Sequence, residues 1–312
     1  MENRITFEDL FDQTCTYPDF DAQERLTRLI GLDDYKEKLT KILGLLVNPD
    51  GLISWAKKYH PDSKRILDTI FRRPPLVILA GDVGSGKTEL AETIGDAVAR
   101  SEKIDVTLLP MSLSTRGQGR VGEMTKLLSA AFEYTIDKAK KLKLDSSRSS
   151  GAIILLVDEA DALTQSREAM QMHHEDRAGV NAFIRGVDRI ANSRLPAAVI
   201  MCTNRLAALD PALKRRAAEI LHFTRPNKSQ RLEVLSTPLK ELGFTQTQIN
   251  TIVMTTGTTK DQTYGFTYSD LIQRLLPALV LDAYPEKSIN PKRAVEIAKQ
   301  MEPTPPFQEL SS

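Results

Sequence analysis

The sequence predicts an α/β fold: a five-stranded parallel sheet with helices on both faces, followed by a small helical domain. Three observations carry this. Residues 76–80, 152–157 and 197–202 are short runs made entirely of apolar residues, as strands buried on both faces are. Between such runs lie stretches with helical spacing, for example Leu90, Ala91, Ile94, Ala97 and Val98. From Pro226 onward no further buried strand is expected. Helical patterns follow one another near 228–241, 245–255, 267–283 and 291–301.

Taken in order, residues 1–28 are polar and acidic, with scattered Phe7, Leu10, Phe11 and Phe20. They are too few for a core of their own and are expected to form one short helix packed on the body. Leu32, Tyr35, Leu39, Ile42, Leu43 and Leu46 mark a helix that Asn48, Pro49 and Gly51 break. A second helix covers 52–59, and Pro74 and Pro75 feed the first strand, 76–80. Alternation over 104–109 gives the second strand, and Met124, Leu127, Leu128, Ala131, Phe132 and Ile136 mark a long amphipathic helix. The third strand, 152–157, is followed by a polar stretch, 164–176, without an apolar face. Val180, Phe183, Ile184, Val187 and Ile190 form the next helix, 197–202 the fourth strand and 219–223 the fifth. The expected organisation is a short N-terminal extension (1–28), a large α/β domain (29–225), a helical lid (226–302) and a disordered tail (303–312).

With 312 residues, 41% hydrophobic and 27% charged, the chain reads as an ordinary soluble globular protein. A net charge of +1 implies no bulk attraction to nucleic acid or membrane. Two cysteines, Cys15 and Cys202, exclude a disulfide framework and suit a reducing compartment. No signal-peptide segment and no run of transmembrane length are present, so the cytoplasm is the expected location.

The most specific motif follows the first strand. Gly81, Asp82, Val83, Gly84, Ser85, Gly86, Lys87 and Thr88 fit G-x-x-x-x-G-K-[ST], a phosphate-binding loop. Its glycines let backbone N–H groups converge on an anion, and the helix that follows, opened by Glu89, adds its positive end. Lys87 is placed to reach the outer phosphates and the Thr88 hydroxyl to ligate Mg²⁺. Asp158 and Glu159 end the third strand. Asp158 would hold Mg²⁺ and Glu159 would polarise an attacking water. Loop, carboxylates and Thr203–Asn204 all fall at carboxyl ends of parallel strands, where ligands bind in such folds.

Over roughly residues 29–302 the chain resembles the AAA+ ATPases. The resemblance implies ATP with Mg²⁺. It places Ile30 and Gly31 beside the adenine, Asn204 as the sensor of the γ-phosphate or attacking water, and Gly265 behind the ribose and adenine. Ser269 stands where some relatives carry a second sensor arginine. The segment 209–216 resembles the stretch bearing the arginine finger, which reaches into a neighbouring subunit's site; Arg216 is the first choice and Arg215 the second. A finger acting in trans implies a ring. Residues 119–123 resemble the first pore loop, with Arg120 at the position usually aromatic; Arg116, Gly119, Arg120 and Val121 are the expected substrate-gripping residues, and 164–176 the second loop.

Residues 180–190, the shortened finger segment and the run Gln273, Arg274, Leu275, Leu276 and Pro277 are similar to the pachytene-checkpoint branch, the thyroid-receptor-interacting ATPases. That branch implies a homohexamer that remodels HORMA-domain proteins. The short pre-ATPase region points to the bacterial version from CD-NTase anti-phage (CBASS) operons, which disassembles a HORMA–cyclase complex and restrains signalling. Three other readings are a general AAA unfoldase, a nucleic-acid motor such as a clamp or helicase loader, and a nucleotide-gated scaffold without turnover. Near-zero net charge argues against the second, and the presence of Glu159, Asn204 and a candidate finger against the third.

Overall fold

The computed structural model describes residues 6–113, 122–144, 149–163, 173–259 and 262–307. The chain divides into two compact units. The larger comprises Met1–Thr27, Asp34–Ala80 and Thr88–Leu221; the smaller comprises Arg28–Asp33, Gly81–Lys87 and His222–Ser312.

The elements up to the sheet's last strand are α1 (Phe7–Leu10), β1 (Cys15–Tyr17), α2 (Phe20–Arg28), α3 (Asp33–Val47), α4 (Pro49–Tyr59), α5 (Lys64–Phe71), β2 (Leu76–Gly81) and α6 (Lys87–Glu102). There follow β3 (Asp105–Ser112), α7 (Glu123–Leu142), β4 (Gly151–Asp158), a 3₁₀ turn (Ala160–Leu163), α8 (His173–Ser193), β5 (Ala197–Thr203), α9 (Pro211–Lys214) and β6 (Ala217–Phe223). The sheet order is β1-β3-β4-β5-β2-β6, with β3–β4, β4–β5 and β2–β5 parallel.

The expected five-stranded sheet therefore has a sixth strand. β1 pairs antiparallel with β3, Cys15 opposite Leu108 and Tyr17 opposite Val106, and Asp12 N–H adds a bond to the Pro110 carbonyl at 2.8 Å. The N-terminal segment is thus a helix, an edge strand and a second helix rather than one helix. It is anchored by Tyr17, which is 1% exposed and whose hydroxyl donates to the Glu92 carbonyl. Two further differences are local. α5 lies between the expected second helix and the first strand, and residues 173–176, read as loop, already belong to α8.

All seven residues of β5 and the first seven of β4 are buried, so neither strand alternates. Layers on both faces cause this. On one face Leu76, Ile78, Ile153, Leu155, Val157, Val199 and Met201 pack with Leu128, Phe132, Phe183, Val187 and Ile190 of α7 and α8. The intervening Val77, Leu79, Ile154, Leu156 and Ile200 are equally buried and point the other way. α3 (Leu39, Leu43, Val47) and α6 (Leu90, Ile94, Val98) also carry rows of buried apolar residues. Phe132 and Phe183 meet edge to face at 5.3 Å. Gly186 gives them room, since a Cβ there would lie 2.2 Å from the Phe132 ring.

The smaller unit carries α10 (Lys228–Glu241), α11 (Gln246–Thr255), a π-helical stretch (Asp270–Leu275) continuing into α12 (Leu276–Ala283), and α13 (Pro291–Gln300). Asn227 with Gln230 and Thr245 with Gln248 form capping boxes at α10 and α11. Pro277 has no N–H to return to the turn before it, where the helix takes π geometry. Asp270 is fully buried and accepts from Thr267 N–H, Thr304 N–H and hydroxyl, and Arg274. Burial pushes its pKa up, but these hydrogen bonds outweigh burial and hold it below the usual carboxylate range. Thr304, within the stretch read as a tail, is therefore tied to this unit. Among the described residues no helix is long and apolar enough to cross a membrane.

Candidate active site

The smaller unit holds the glycine loop. Gly81 has φ +153° and passes so close to β6 that a Cβ would lie 2.1 Å from the Phe223 carbonyl oxygen. Gly84 has φ +73°, a region that side chains disfavour. Its carbonyl accepts from Ser269 N–H at 3.1 Å, and a Cβ on it would meet Ser269 and Thr267 at 2.8 Å. The loop therefore lies directly on the start of the π-helical stretch. Lys87 opens α6 and is 7% exposed. Its ammonium folds over the loop, donating to the carbonyls of Gly81 (2.9 Å) and Asp82 (2.8 Å).

Ile30 and Gly31 belong to the same unit. The Gly31 carbonyl accepts from Gln230 at 2.9 Å and from the Tyr268 hydroxyl at 3.3 Å. The Gly265 carbonyl accepts from Arg225 at 2.7 Å. Residues 30–31, the loop 81–87, Gly265 and Ser269, far apart in sequence, are thus gathered in one compact unit.

The larger unit holds the strand ends. Ala80 is in register with Thr203, Val157 with Met201 and Asp158 with Ser112, so the carboxyl ends of β2 to β5 are level. Glu159 follows Asp158 with φ +52°, an uncommon conformation for a non-glycine residue. Its carboxylate accepts from the Ser112 hydroxyl at 2.7 Å, and its N–H donates to Asp158 at 2.8 Å. Asp161, on the 3₁₀ turn, accepts from the Thr203 hydroxyl, from Asn204 N–H and Nδ2 (both 2.9 Å) and from Arg205 N–H (3.1 Å). One carboxylate so fixes both the backbone and the side chain of Asn204. Thr88 lies in the first turn of α6, as does Glu89, whose carboxylate is engaged by Arg25 at 2.8 and 2.9 Å.

The family model for the ATPase family associated with various cellular activities (AAA) matches residues 77–225. CD-NTase-associated protein 6 of Escherichia coli strain MS 115-1 is 61% identical over 307 residues, 98% of this chain and 99% of that protein. The chain is a AAA ATPase of this branch. Among the similar solved structures are two of high identity. One is a chain of the E. coli MS115-1 HORMA:CdnC:Trip13 complex, with TM-score 0.88, 61% identity and coverage of 97% and 99% of the two chains. The other is Rhizobiales Trip13, with TM-score 0.74, 55% identity and coverage of 95% and 100%.

The remaining positions of this ATPase divide sharply. Arg216 forms a two-pronged pair with Asp188 of α8, at 2.8 and 3.1 Å, and also donates to the Ala212 carbonyl at 3.2 Å. The hydrogen bond to Asp188 raises its pKa further above the ordinary value. Arg215, one residue earlier, is exposed. Arg116, Gly119, Arg120 and Val121 lie outside the described residues, as do 164–172 of the second expected pore loop. Ser112, Asp161 and Arg225 had no motif to mark them, and Asp188 stood in the branch-like run 180–190 with no role attached. Asp161 alone offered a signal, an acidic residue two places beyond Glu159.

The donor sets fit the groups that the family handles. In the smaller unit, glycines whose Cβ would collide, with one buried lysine, suit phosphate oxygens. In the larger unit, the Thr88 hydroxyl and the Asp158 carboxylate are hard oxygen donors of the kind Mg²⁺ takes.

Proposed function

We propose that this ATPase is a homohexameric remodeller of HORMA-domain proteins. In this reading it takes apart a HORMA–CD-NTase complex and so holds an anti-phage signalling system in check, in the cytoplasm. The observation that carries the reading is 61% identity over nearly the whole chain to CD-NTase-associated protein 6, together with the same identity to a chain solved in a HORMA:CdnC:Trip13 complex.

The residues take the following roles. Main-chain N–H groups of 82–86 and the Lys87 ammonium bind the phosphates of ATP, while Ile30, Gly31, Gly265 and Ser269 flank the base and ribose. Thr88 and Asp158 would hold Mg²⁺, which would supply neutralisation of phosphate charge. Glu159 orients and accepts a proton from the attacking water, and Asn204 positions that water. Ser112 occupies one Glu159 oxygen and so bears on how the base is held. The finger role falls to Arg215, because Arg216 is already committed to Asp188 in its own subunit. Residues 116–121 grip the substrate, and Arg120 suits a polar or acidic segment.

The test is to incubate wild type and Glu159→Gln with a preassembled HORMA–CD-NTase complex and ATP. Disassembly by the wild type, with trapping of the HORMA protein by the variant, is the expected result. Full ATPase activity with an intact complex would overturn the substrate and favour a general unfoldase.

A further inference from the structure

Arg225 stands two residues beyond β6, at the start of the connection to α10. Its Nε donates to the Asp82 carboxylate at 2.8 Å and its Nη1 to the Gly265 carbonyl at 2.7 Å. The guanidinium carbon lies 4.9 Å from the centre of the Tyr264 ring. Nη2 is buried, with no hydrogen-bond partner among the described residues. The pair is largely withdrawn from water, the Arg225 side chain being 13% exposed and that of Asp82 27%. Three segments of the smaller unit meet on this one side chain: the glycine loop, the connection after β6 and the segment before the π-helical stretch. A planar fork with several fixed donors can join them; a lysine, with a single point charge, cannot make the same set of bonds.

We propose that Arg225 is a positioning residue for nucleotide, clamping the phosphate loop to Gly265. Asp82 is the joint through which it acts. The Asp82 side chain accepts from Arg225 while its carbonyl accepts from the Lys87 ammonium at 2.8 Å. A pull on the side chain is therefore passed to the main chain that seats the lysine. The other prong fixes the carbonyl of the glycine assigned to the ribose and adenine. Phosphate-side and base-side groups are so held together before nucleotide arrives, and binding is spared the ordering cost. The proposal rests on nucleotide binding by this chain, not on the identity of its protein substrate.

The experiment is titration of the full chain with N-methylanthraniloyl-ADP, for wild type, Arg225→Met, Arg225→Lys, Asp82→Ala, the double variant Asp82→Ala/Arg225→Met, and Lys87→Ala. Arg225→Met is expected to raise Kd about tenfold, or about 1.4 kcal/mol. Asp82→Ala should act in the same direction, the double variant should be no worse than the worse single one, and lysine should restore only part. The ADP-induced rise in Tm should be reduced in the clamp variants whatever their melting without nucleotide; a purely structural residue would lower melting without nucleotide and leave the ADP-induced rise at the wild-type value. An unchanged Kd in Arg225→Met, with binding lost in Lys87→Ala, would overturn the clamp alone. Losses that multiply in the double variant would overturn it in favour of a direct Arg225–nucleotide contact. Wild-type binding by Lys87→Ala would overturn the loop assignment and the clamp with it. If Arg225→Met does not fold, Asp82→Ala decides, and a wild-type Kd there overturns the proposal.

Discussion

In the smaller unit, Gly84 accepts from Ser269 N–H through its carbonyl, Gly81 brushes the β6 backbone, and Lys87 is held by two loop carbonyls. In the larger unit the proposed catalytic groups are held by side chains: Glu159 by Ser112 and Asn204 by Asp161. Main-chain architecture depends on a methyl group being absent, whereas side-chain architecture depends on a partner being present. The first should fail in binding and the second in turnover.

Replacing Glu159 by Gln should separate the two most strongly. Turnover should fall by ~10²–10⁴-fold while ADP affinity stays at the wild-type value; steady-state ATPase rates beside a binding titration check this. Gly84→Ala should do the reverse. The added Cβ meets Ser269 and Thr267 at 2.8 Å in a backbone region that costs ~1–3 kcal/mol for a side chain, so affinity should drop by ~5–150-fold. A Gly84→Ala protein that binds normally but turns over slowly would break the distinction. Asp161→Ala removes the acceptor of three N–H groups and one hydroxyl, and should lower kcat by ~10-fold or more with KM little changed. If Asp161 acts through Asn204, Asp161→Ala/Asn204→Ala should be no slower than Asn204→Ala alone. Arg25→Ala should matter least. Its pairs with Glu89 and Glu92 are partly solvated, worth ~0–1 kcal/mol, which thermal unfolding would read as a Tm shift of no more than about 4 °C.

The same contrast explains what could be read from the sequence. The glycine loop was legible because its chemistry is local: eight consecutive residues specify the conformation. The central strands were legible because burial on both faces leaves an unbroken apolar run, as in β4 and β5. β1 was not, because a three-residue edge strand with one buried side chain has no period to detect. Nor were Ser112, Asp161, Asp188 and Arg225, since their partners are Glu159, Asn204, Arg216 and Asp82, brought near only by the fold. The proposed choice of Arg215 over Arg216 rests on such a partner. Nothing in the local sequence announces that Asp188 takes the second arginine.

β1 also has a consequence for handling the protein. An uncovered strand margin is a template for adhesion, ready to zip onto another copy through its unpaired N–H and C=O groups. Cys15, Thr16 and Tyr17, with Asp12 just before them, occupy that margin on β3. Trimming the chain through Tyr17 would remove no proposed catalytic group, yet would strip the selvedge from the weave. The shortened protein should be prone to clump for a reason unrelated to its chemistry.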